Sequence, residues 1–326
     1  MAIGRNEGER LKACLRAAAV SSARGARTVV YVDSGSADGS AEYARSVGCR
    51  VVELDASRPF TAARARNEGF ACAMEHAPDA EFVQFVDGDC ELEEGWLEAG
   101  AAALGARDDA GLVCGHVREI HPEASVFNRL CDFEWRQAPG EIPAAGGRFM
   151  ARARAFKEVG GFRPDVIAAE DDELCIRVRQ EGWKILKIDA PMARHDAAIT
   201  GLGQWWRRMR RAGHAYAQVA ALHGGGPERY FVRDRRRILI WGLALPVAAL
   251  AAALFTRGIS LLVMIGAYGL QLIHIARGCR MRGWAERDAW TYAFFTVISR
   301  FPALQGLLEY YWRRLRGRPM TMIEYK

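Results

Sequence analysis

The first ninety residues alternate short apolar, β-rich runs with stretches of helical spacing, and no other feature of the chain narrows its fold as far. Thr28-Val29-Val30-Tyr31-Val32, Arg50-Val51-Val52-Glu53-Leu54 and Glu81 to Val86 read as strands. Between them, Glu9 to Ala19 repeats Leu11, Leu15 and Ala18 at helical intervals, Asp38-Gly39-Ser40 opens a helix to Val47 with Ser40 or Asp38 as N-cap, and Ala62 to Glu75 forms a third helix. Strands alternating with helices need crossover connections, which predicts an open, twisted, mostly parallel α/β sheet with helices on both faces. Residues 112–118 and 184–189 alternate enough to add strands, while Phe149 to Val159 reads as helix before Gly160-Gly161-Phe162. Only Met1-Ala2-Ile3 precede Gly4-Arg5-Asn6-Glu7, few apolar residues for a strand of ordinary length. That opening fits a misassigned or internal start and predicts a stunted or missing first strand.

The strand ending in Phe85-Val86-Asp87-Gly88-Asp89 sets two carboxylates where an apolar run stops. Open α/β sheets bind ligands beyond the carboxyl ends of their strands, and a hard cation takes one or two carboxylates together with substrate phosphates. An acidic turn after a buried strand has the same appearance, so the pair gains meaning from its company.

Net charge, +6 over 326 residues, conceals a division. Residues 1–200 hold 25 Lys/Arg against 33 Asp/Glu, and residues 201–326 hold 20 against 6, so the two parts carry −8 and +14. The basic part contains two uncharged runs of 18 residues, Ile238 to Phe255 and Ile259 to Ala276, joined by Thr256-Arg257-Gly258. Each is long enough to cross a bilayer, and Gln271 and His274 then need an inward face or the interface. Two buried helices of a soluble domain would read similarly. Arg233, Arg235, Arg236 and Arg237 before the pair and Arg277, Arg280, Arg282 and Arg287 after it put both flanks on the cytoplasmic side of an inner membrane, and residues 1–237 with them. Trp290 to Tyr311 is apolar and aromatic but holds Arg300 and Glu309, which predicts an interfacial helix over 290–311. Eight scattered cysteines lack paired spacing and read as reduced core residues, and Arg5, Glu7, Glu9 and Arg10 interrupt any leader. The predicted organisation is a catalytic domain over 1–215 and a basic C-terminal region over 216–326 that carries the membrane hairpin.

Six stretches in order resemble glycosyltransferase family 2, whose members are inverting nucleotide-sugar transferases of GT-A fold. They are Gly4-Arg5-Asn6-Glu7 with Leu11, Val32 to Ser40 with Asp33 at its head, Ala65-Arg66-Asn67-Glu68-Gly69, Asp87-Gly88-Asp89, Gly146-Gly147 with Gly160-Gly161-Phe162, and Glu170-Asp171-Asp172-Glu173-Leu174 followed by Arg177 and Gly182. Ser34 departs from the second Asp usual in the family's second-strand signature. The resemblance covers roughly residues 1–215.

The resemblance implies a role for each residue. Asp89 is a direct ligand of a divalent metal, Mg or Mn, with Asp87 beside it on ribose or metal-bound water. Glu7 and Asp33 face the nucleoside, and Arg66 lies near base or phosphates. Asp171 is the base that takes the acceptor's proton, with Glu170 and Asp172 as rivals one residue away and Gly146 and Gly147 on the acceptor side. A helix opening at Asp171 sets its N-terminal dipole against a raised pKa. His195 falls where related enzymes use a downstream histidine on metal or diphosphate, although an isolated His is more often structural. Gln204-Trp205-Trp206-Arg207-Arg208 is loosely similar to the Gln-x-x-Arg-Trp element of processive synthases, in a different order. Trp205 and Trp206 read equally as an interfacial helix or as an acceptor-side surface.

Together these features predict a metal-dependent inverting glycosyltransferase that moves a sugar from a nucleoside-diphosphate sugar to a membrane-associated lipid or glycan acceptor. A sugar nucleotidyltransferase would share the paired carboxylates, but the chain lacks a glycine-rich phosphate loop near its start. The other alternative is a membrane-bound interaction protein with a degenerate site. No nucleic-acid partner is expected, because the basic residues flank apolar runs without a zinc or helix-turn-helix pattern.

Overall fold

A computed structural model describes residues 1–22, 28–318 and 320 and divides the chain into two compact units, Met1–Thr200 and Gly201–Lys326. In the first, β1 (Ala2–Gly4), α1 (Glu9–Ser22), β2 (Val30–Asp33), α2 (Ser40–Ser46), β3 (Arg50–Glu53), α3 (Ala62–His76) and β4 (Phe82–Asp87) alternate as the sequence predicts, and β1 has three residues. Next come β5 (Cys90–Leu92), α4 (Trp96–Gly105), β6 (Ala110–Glu119), α5 (Val126–Trp135), β7 (Gly140–Glu141), β8 (Phe149–Arg152), α6 (Ala153–Glu158), α7 (Glu170–Gln180) and β9 (Lys184–His195). Helix α2 has Gly39 at its N-cap in the left-handed region, without a side-chain cap bond. Asp38, instead of capping it, accepts from the backbone N–H groups of Gly8 and Ser40 and ties the loop after β2 to the loop after β1.

The strands form one sheet in the order β3-β2-β1-β4-β8-β6-β9-β5, with β7 beside β9. The first four are mutually parallel, and the chain changes direction between β1 and β4, the switch point at which such sheets open a crevice. Register fixes what faces that crevice, because Gly4 lies opposite Asp33 and Ile3 opposite Asp87. Phe149 to Val159, expected as one helix, is a strand and then a helix. Phe149, Met150 and Ala151 are all buried between β4 and β6, and a short run apolar on both faces carries no period to tell strand from helix. Phe85 anchors the core, with the rings of Phe149, Phe156 and Phe162 at 5.0, 5.0 and 5.9 Å.

β9 pairs with β6 through a register shift around Pro191, which has no N–H for the ladder. Gly115 accommodates the bend, since a Cβ there would lie 2.5 Å from the Ala190 carbonyl oxygen. Past the bend β9 runs antiparallel to β5 and sets His195 opposite Cys90.

The second unit is helical: α8 (Leu202–His223), α9 (Val232–Leu239), a π-helical turn (Ile240–Ala244), α10 (Leu245–Ala253), α11 (Ile259–Met281), α12 (Glu286–Ile298) and α13 (Arg300–Leu315). Residue 215, where the catalytic domain was expected to end, falls inside the unbroken α8, and the first unit closes at Thr200. Val232–Ala253 and Ile259–Met281 are long and apolar enough to cross a membrane, and only 17% and 6% of their apolar windows are buried. The π-turn precedes Pro246, whose missing N–H leaves a carbonyl one turn back without its helical donor. The single helix expected over 290–311 is instead α12 and α13, broken at Ser299, with Pro302 in the first turn of the second helix, where proline is tolerated.

Helices α8 and α13 cross at two glycines. A Cβ on Gly213 would lie 1.9 Å from the carbonyl oxygen of Ala303, and one on Gly306 would lie 1.8 Å from that of Arg210. Both obstacles are backbone, so neither can rotate away. Gly306→Val is expected to force the helices apart at a cost of about 3 kcal/mol or more, read as a fall in the unfolding temperature of the detergent-purified protein; unchanged melting would contradict the close packing.

Candidate active site

The crevice at the ends of β1, β2 and β4 gathers most of the residues singled out from sequence. Gly88 N–H donates to the Ile3 carbonyl at 2.7 Å, and a Cβ on Gly88 would meet that oxygen at 3.1 Å and Glu7 Cγ at 3.3 Å. The residue between the two aspartates therefore has to be small. Glu7 lies beside this turn and pairs with Arg10 at 2.7 Å. Asp33 is buried and held by its own turn: Oδ2 accepts from the Gly35 and Ser36 N–H groups at 3.0 and 2.7 Å, and Oδ1 accepts from the Tyr31 hydroxyl at 3.0 Å.

Asp89 and His195 meet where β5 pairs with β9, with His195 Nε2 3.2 Å from Asp89 Oδ2, and both are buried. Cys90 Sγ lies 3.4 Å from Asp89 Oδ1, and ligating atoms of all three residues fall within 4.8 Å of one another. Burial and the neighbouring Asp89 push the Cys90 thiol well above its ordinary pKa. It therefore stays protonated and donates to the carboxylate. The remaining donors, one carboxylate oxygen and one imidazole nitrogen, could hold a divalent cation and make this a candidate metal centre. The His195 ring packs on Trp135 with centroids 4.6 Å apart, and its Nδ1 lies 2.9 Å from Arg148 Nη1.

Arg66 joins the two halves of the site. Its buried guanidinium donates to Asp87 Oδ1 and Glu170 Oε1, each at 2.7 Å, and lies 5.3 Å from the centre of the Phe162 ring. Burial opposes its charge, but Asp87 and Glu170 outweigh that and its pKa rises. A Cβ on Gly147 would lie 2.7 Å from Arg66 Nη2, so a side chain there would push the guanidinium off its present position between Asp87 and Glu170. Gly146, with φ 72°, turns the chain beside Asp171, whose Oδ2 is 3.9 Å from where a Cβ on Gly146 would stand.

Helix α7 begins after Ala169, which adopts φ 54°, so Glu170, Asp171 and Asp172 fill its first turn. The helix dipole was expected to lower the pKa of Asp171, and the direction is the reverse. Burial raises it first and the Glu170 carboxylate adds to this, while Arg66 and the backbone N–H of Asp172, at 3.0 Å from Oδ1, offset only part.

Sequence reasoning passed over Arg148 and Trp135. The available signal was a charged residue wedged between Gly146-Gly147 and the apolar run Phe149-Met150-Ala151. Trp205 and Trp206 belong to the second unit. There Trp205 is buried edge-on against Phe295 at 5.1 Å, and Trp206 donates to Gln305 at 2.9 Å.

Comparison with known proteins places this arrangement. Residues 4–159 match glycosyl transferase family 2; Asp171 and His195 lie beyond that segment. The pre-mycofactocin glycosyltransferase of Mycobacterium tuberculosis is 28% identical over 218 residues, 63% of this chain and 44% of that protein, so the chain spans less than half the length of this relative. Glycosyltransferase AglE of Haloferax volcanii is 24% identical over 226 residues, 67% of this chain and 72% of that protein. Among solved structures, the mannosyltransferase PcManGT of Pyrobaculum calidifontis, in complex with GDP-Man and Mn2+, superposes with a TM-score of 0.63 at 20% identity, covering 96% of this chain and 87% of its own. S. aureus TarS 1–349 with UDP-GlcNAc gives a TM-score of 0.50 at 14% identity, covering 97% and 91%. The matched segment carries Asp33, Arg66, Asp87 and Asp89 on a sheet shared with these structures, so residues 4–159 are similar to glycosyl transferase family 2 and the first unit has the GT-A fold of a glycosyltransferase.

Proposed function

We propose that the chain is a metal-dependent inverting glycosyltransferase that moves a sugar from a nucleoside-diphosphate sugar to a membrane-associated acceptor, a lipid or a growing glycan. The observation that carries this reading is the pair of Arg66 hydrogen bonds. At 2.7 Å each, they tie the carboxylate at the end of β4 to the acidic turn that opens α7, which supports a donor side and a base lying next to each other.

On the donor side, Asp89 and His195 hold a divalent ion with Asp87 alongside, and Glu7 and Asp33 border the nucleoside. The bound ion supplies Lewis-acid stabilisation of the charge that grows on the departing diphosphate. Arg66 fixes Asp87, and Gly146 and Gly147 keep the acceptor path open. Asp171, with Glu170 and Asp172 beside it, takes the proton of the acceptor hydroxyl as that oxygen bonds to the anomeric carbon. The bond from that carbon to the diphosphate breaks on the opposite face, and its electron pair leaves with the nucleoside diphosphate. This displacement inverts the anomeric centre. Support for a membrane-associated acceptor comes from the two apolar helices, whose exposed side chains include Leu250, 64% exposed, and Leu270, 70% exposed. The arginines that flank these helices, Arg233 and Arg235 to Arg237 before and Arg277, Arg280, Arg282 and Arg287 after, support an inner-membrane location with the first unit in the cytoplasm.

The test is a panel of UDP-, GDP- and dTDP-sugars offered to detergent-purified full chain with Mn²⁺, Mg²⁺ or EDTA. One donor is expected to release nucleoside diphosphate only with metal, and to give a product of inverted anomeric configuration by NMR. Failure of every donor to bind in the presence of metal would contradict the proposal.

A further inference from the structure

Arg148 is a largely buried cation at the candidate metal centre that the sequence reading and the proposed mechanism leave unused. Its side chain is 12% exposed, its guanidinium lies 5.3 Å from the centre of the Trp135 ring, and Nη1 is 2.9 Å from His195 Nδ1. The same nitrogen is 3.7 Å from Asp87 Oδ2 and 3.9 Å from Cys90 Sγ, and Nε is buried without a hydrogen-bond partner. A buried guanidinium with an unused donor beside a candidate metal centre is short of acceptors.

Its bond to His195 adds a constraint. A guanidinium only donates, so His195 Nδ1 has to accept, and the single hydrogen of the neutral ring sits on Nε2 facing Asp89. A metal ion on Nε2 requires the opposite tautomer, with the hydrogen on Nδ1 directed at Arg148. The Arg148–His195 hydrogen bond and ligation by His195 therefore exclude each other. A guanidinium released at that point, beside Asp87 and stacked on Trp135, stands where a diphosphate held by the metal would present oxygens, for which its planar fork is suited.

We propose that Arg148 is a positioning residue that restrains His195 while the site is empty and turns to the donor's diphosphate when metal and nucleotide bind together. The inference rests on the donor reading given above. Arg148 thereby makes metal binding depend on nucleotide: alone, the ion has to displace the guanidinium from His195, whereas with a nucleoside diphosphate present the guanidinium gains a better acceptor.

The experiment is a Mn²⁺ titration by electron paramagnetic resonance on the full detergent-purified chain, with and without UDP or GDP, for wild type, Arg148→Ala and Arg148→Lys. Arg148→Ala is expected to tighten Mn²⁺ binding in the absence of nucleotide and to weaken nucleoside diphosphate binding in the presence of Mn²⁺ by ~10–100-fold, as loss of a charge-assisted phosphate contact does. Arg148→Lys keeps the charge without the fork and is expected to fall between the two, which leaves a result if the alanine variant misfolds. Opposite signs for metal alone and for nucleotide separate this role from a structural one, which would weaken both. Nucleotide affinity within ~2-fold of wild type in both variants, or weakened Mn²⁺ binding without nucleotide, would overturn the proposal. A wild-type chain that binds neither UDP nor GDP with Mn²⁺ would overturn the donor reading, and this inference with it.

Discussion

Asp89→Ala is expected to abolish sugar transfer, lowering kcat/KM by about 10³-fold or more, because it removes the carboxylate of the candidate metal centre and with it the charge stabilisation of the leaving diphosphate. The geometry separates this effect from general damage. Asp89 sits in a buried corner where Cys90 and His195 both approach its oxygens, so the substitution also leaves buried polar atoms poorly matched, at about 1–3 kcal/mol of stability. Asp89→Asn keeps the volume and most of the hydrogen bonding while discarding the charge. If metal ligation is the role of Asp89, both variants lose Mn²⁺ binding and activity, and only the alanine variant loses appreciable melting temperature. Activity retained by Asp89→Asn would move the ion elsewhere.

The second large effect is expected at Asp171. Asp171→Asn cannot accept the acceptor's proton, and turnover is expected to fall by about 10²–10⁴-fold while the affinity for the donor stays within a few-fold of wild type. The split matters because Glu170, one residue away, is fixed by Arg66 at 2.7 Å and already serves as that cation's partner. Glu170→Gln is expected to disturb Arg66 and donor binding more than proton transfer. The pH profile adds a signature. Burial, with the Glu170 carboxylate adding to it, raises the Asp171 pKa, so its proton stays on to higher pH than on an ordinary aspartate, and the base form is lost earlier as pH falls. The acidic limb of kcat/KM should therefore lie above the ordinary aspartate value of about 3.9. It should move toward that value in a variant that removes the neighbouring Glu170 charge.

Much of this site is legible in the sequence because its donor side is local. Val30-Tyr31-Val32-Asp33 and Phe85-Val86-Asp87 each write an apolar strand followed by its acidic end, and a parallel sheet with a switch point needs only register to bring Asp33, Asp87 and Gly4 together. What is not legible depends on long-range placement. Arg148 reaches His195 across 47 residues only because β8 inserts antiparallel between β4 and β6, and the short apolar run Phe149-Met150-Ala151 gives no period from which to read that insertion. The bend at Pro191 that delivers His195 to Cys90 depends on Gly115 in another strand. In the second unit the apolar, aromatic content of 290–311 is visible, and the break at Ser299 goes with Pro302, which has no N–H to give the Ile298 carbonyl and so starts a new helix. The pKa of Asp171 was misjudged for a related reason: the helix dipole is a local feature, whereas the burial and the Glu170 charge that reverse its effect belong to the assembled site.

The central claim is that Asp89 and Asp171 serve the two sides of one displacement. Metal-dependent release of nucleoside diphosphate, measured with the preferred donor alongside donor binding for wild type, Asp89→Ala and Asp171→Asn, tests it most directly. The account predicts that wild type turns over only with metal, that Asp89→Ala loses both metal-dependent donor binding and turnover, and that Asp171→Asn keeps binding but loses turnover. Turnover by Asp89→Ala at the wild-type rate, or loss of donor binding by Asp171→Asn with turnover per bound donor unchanged, would contradict it.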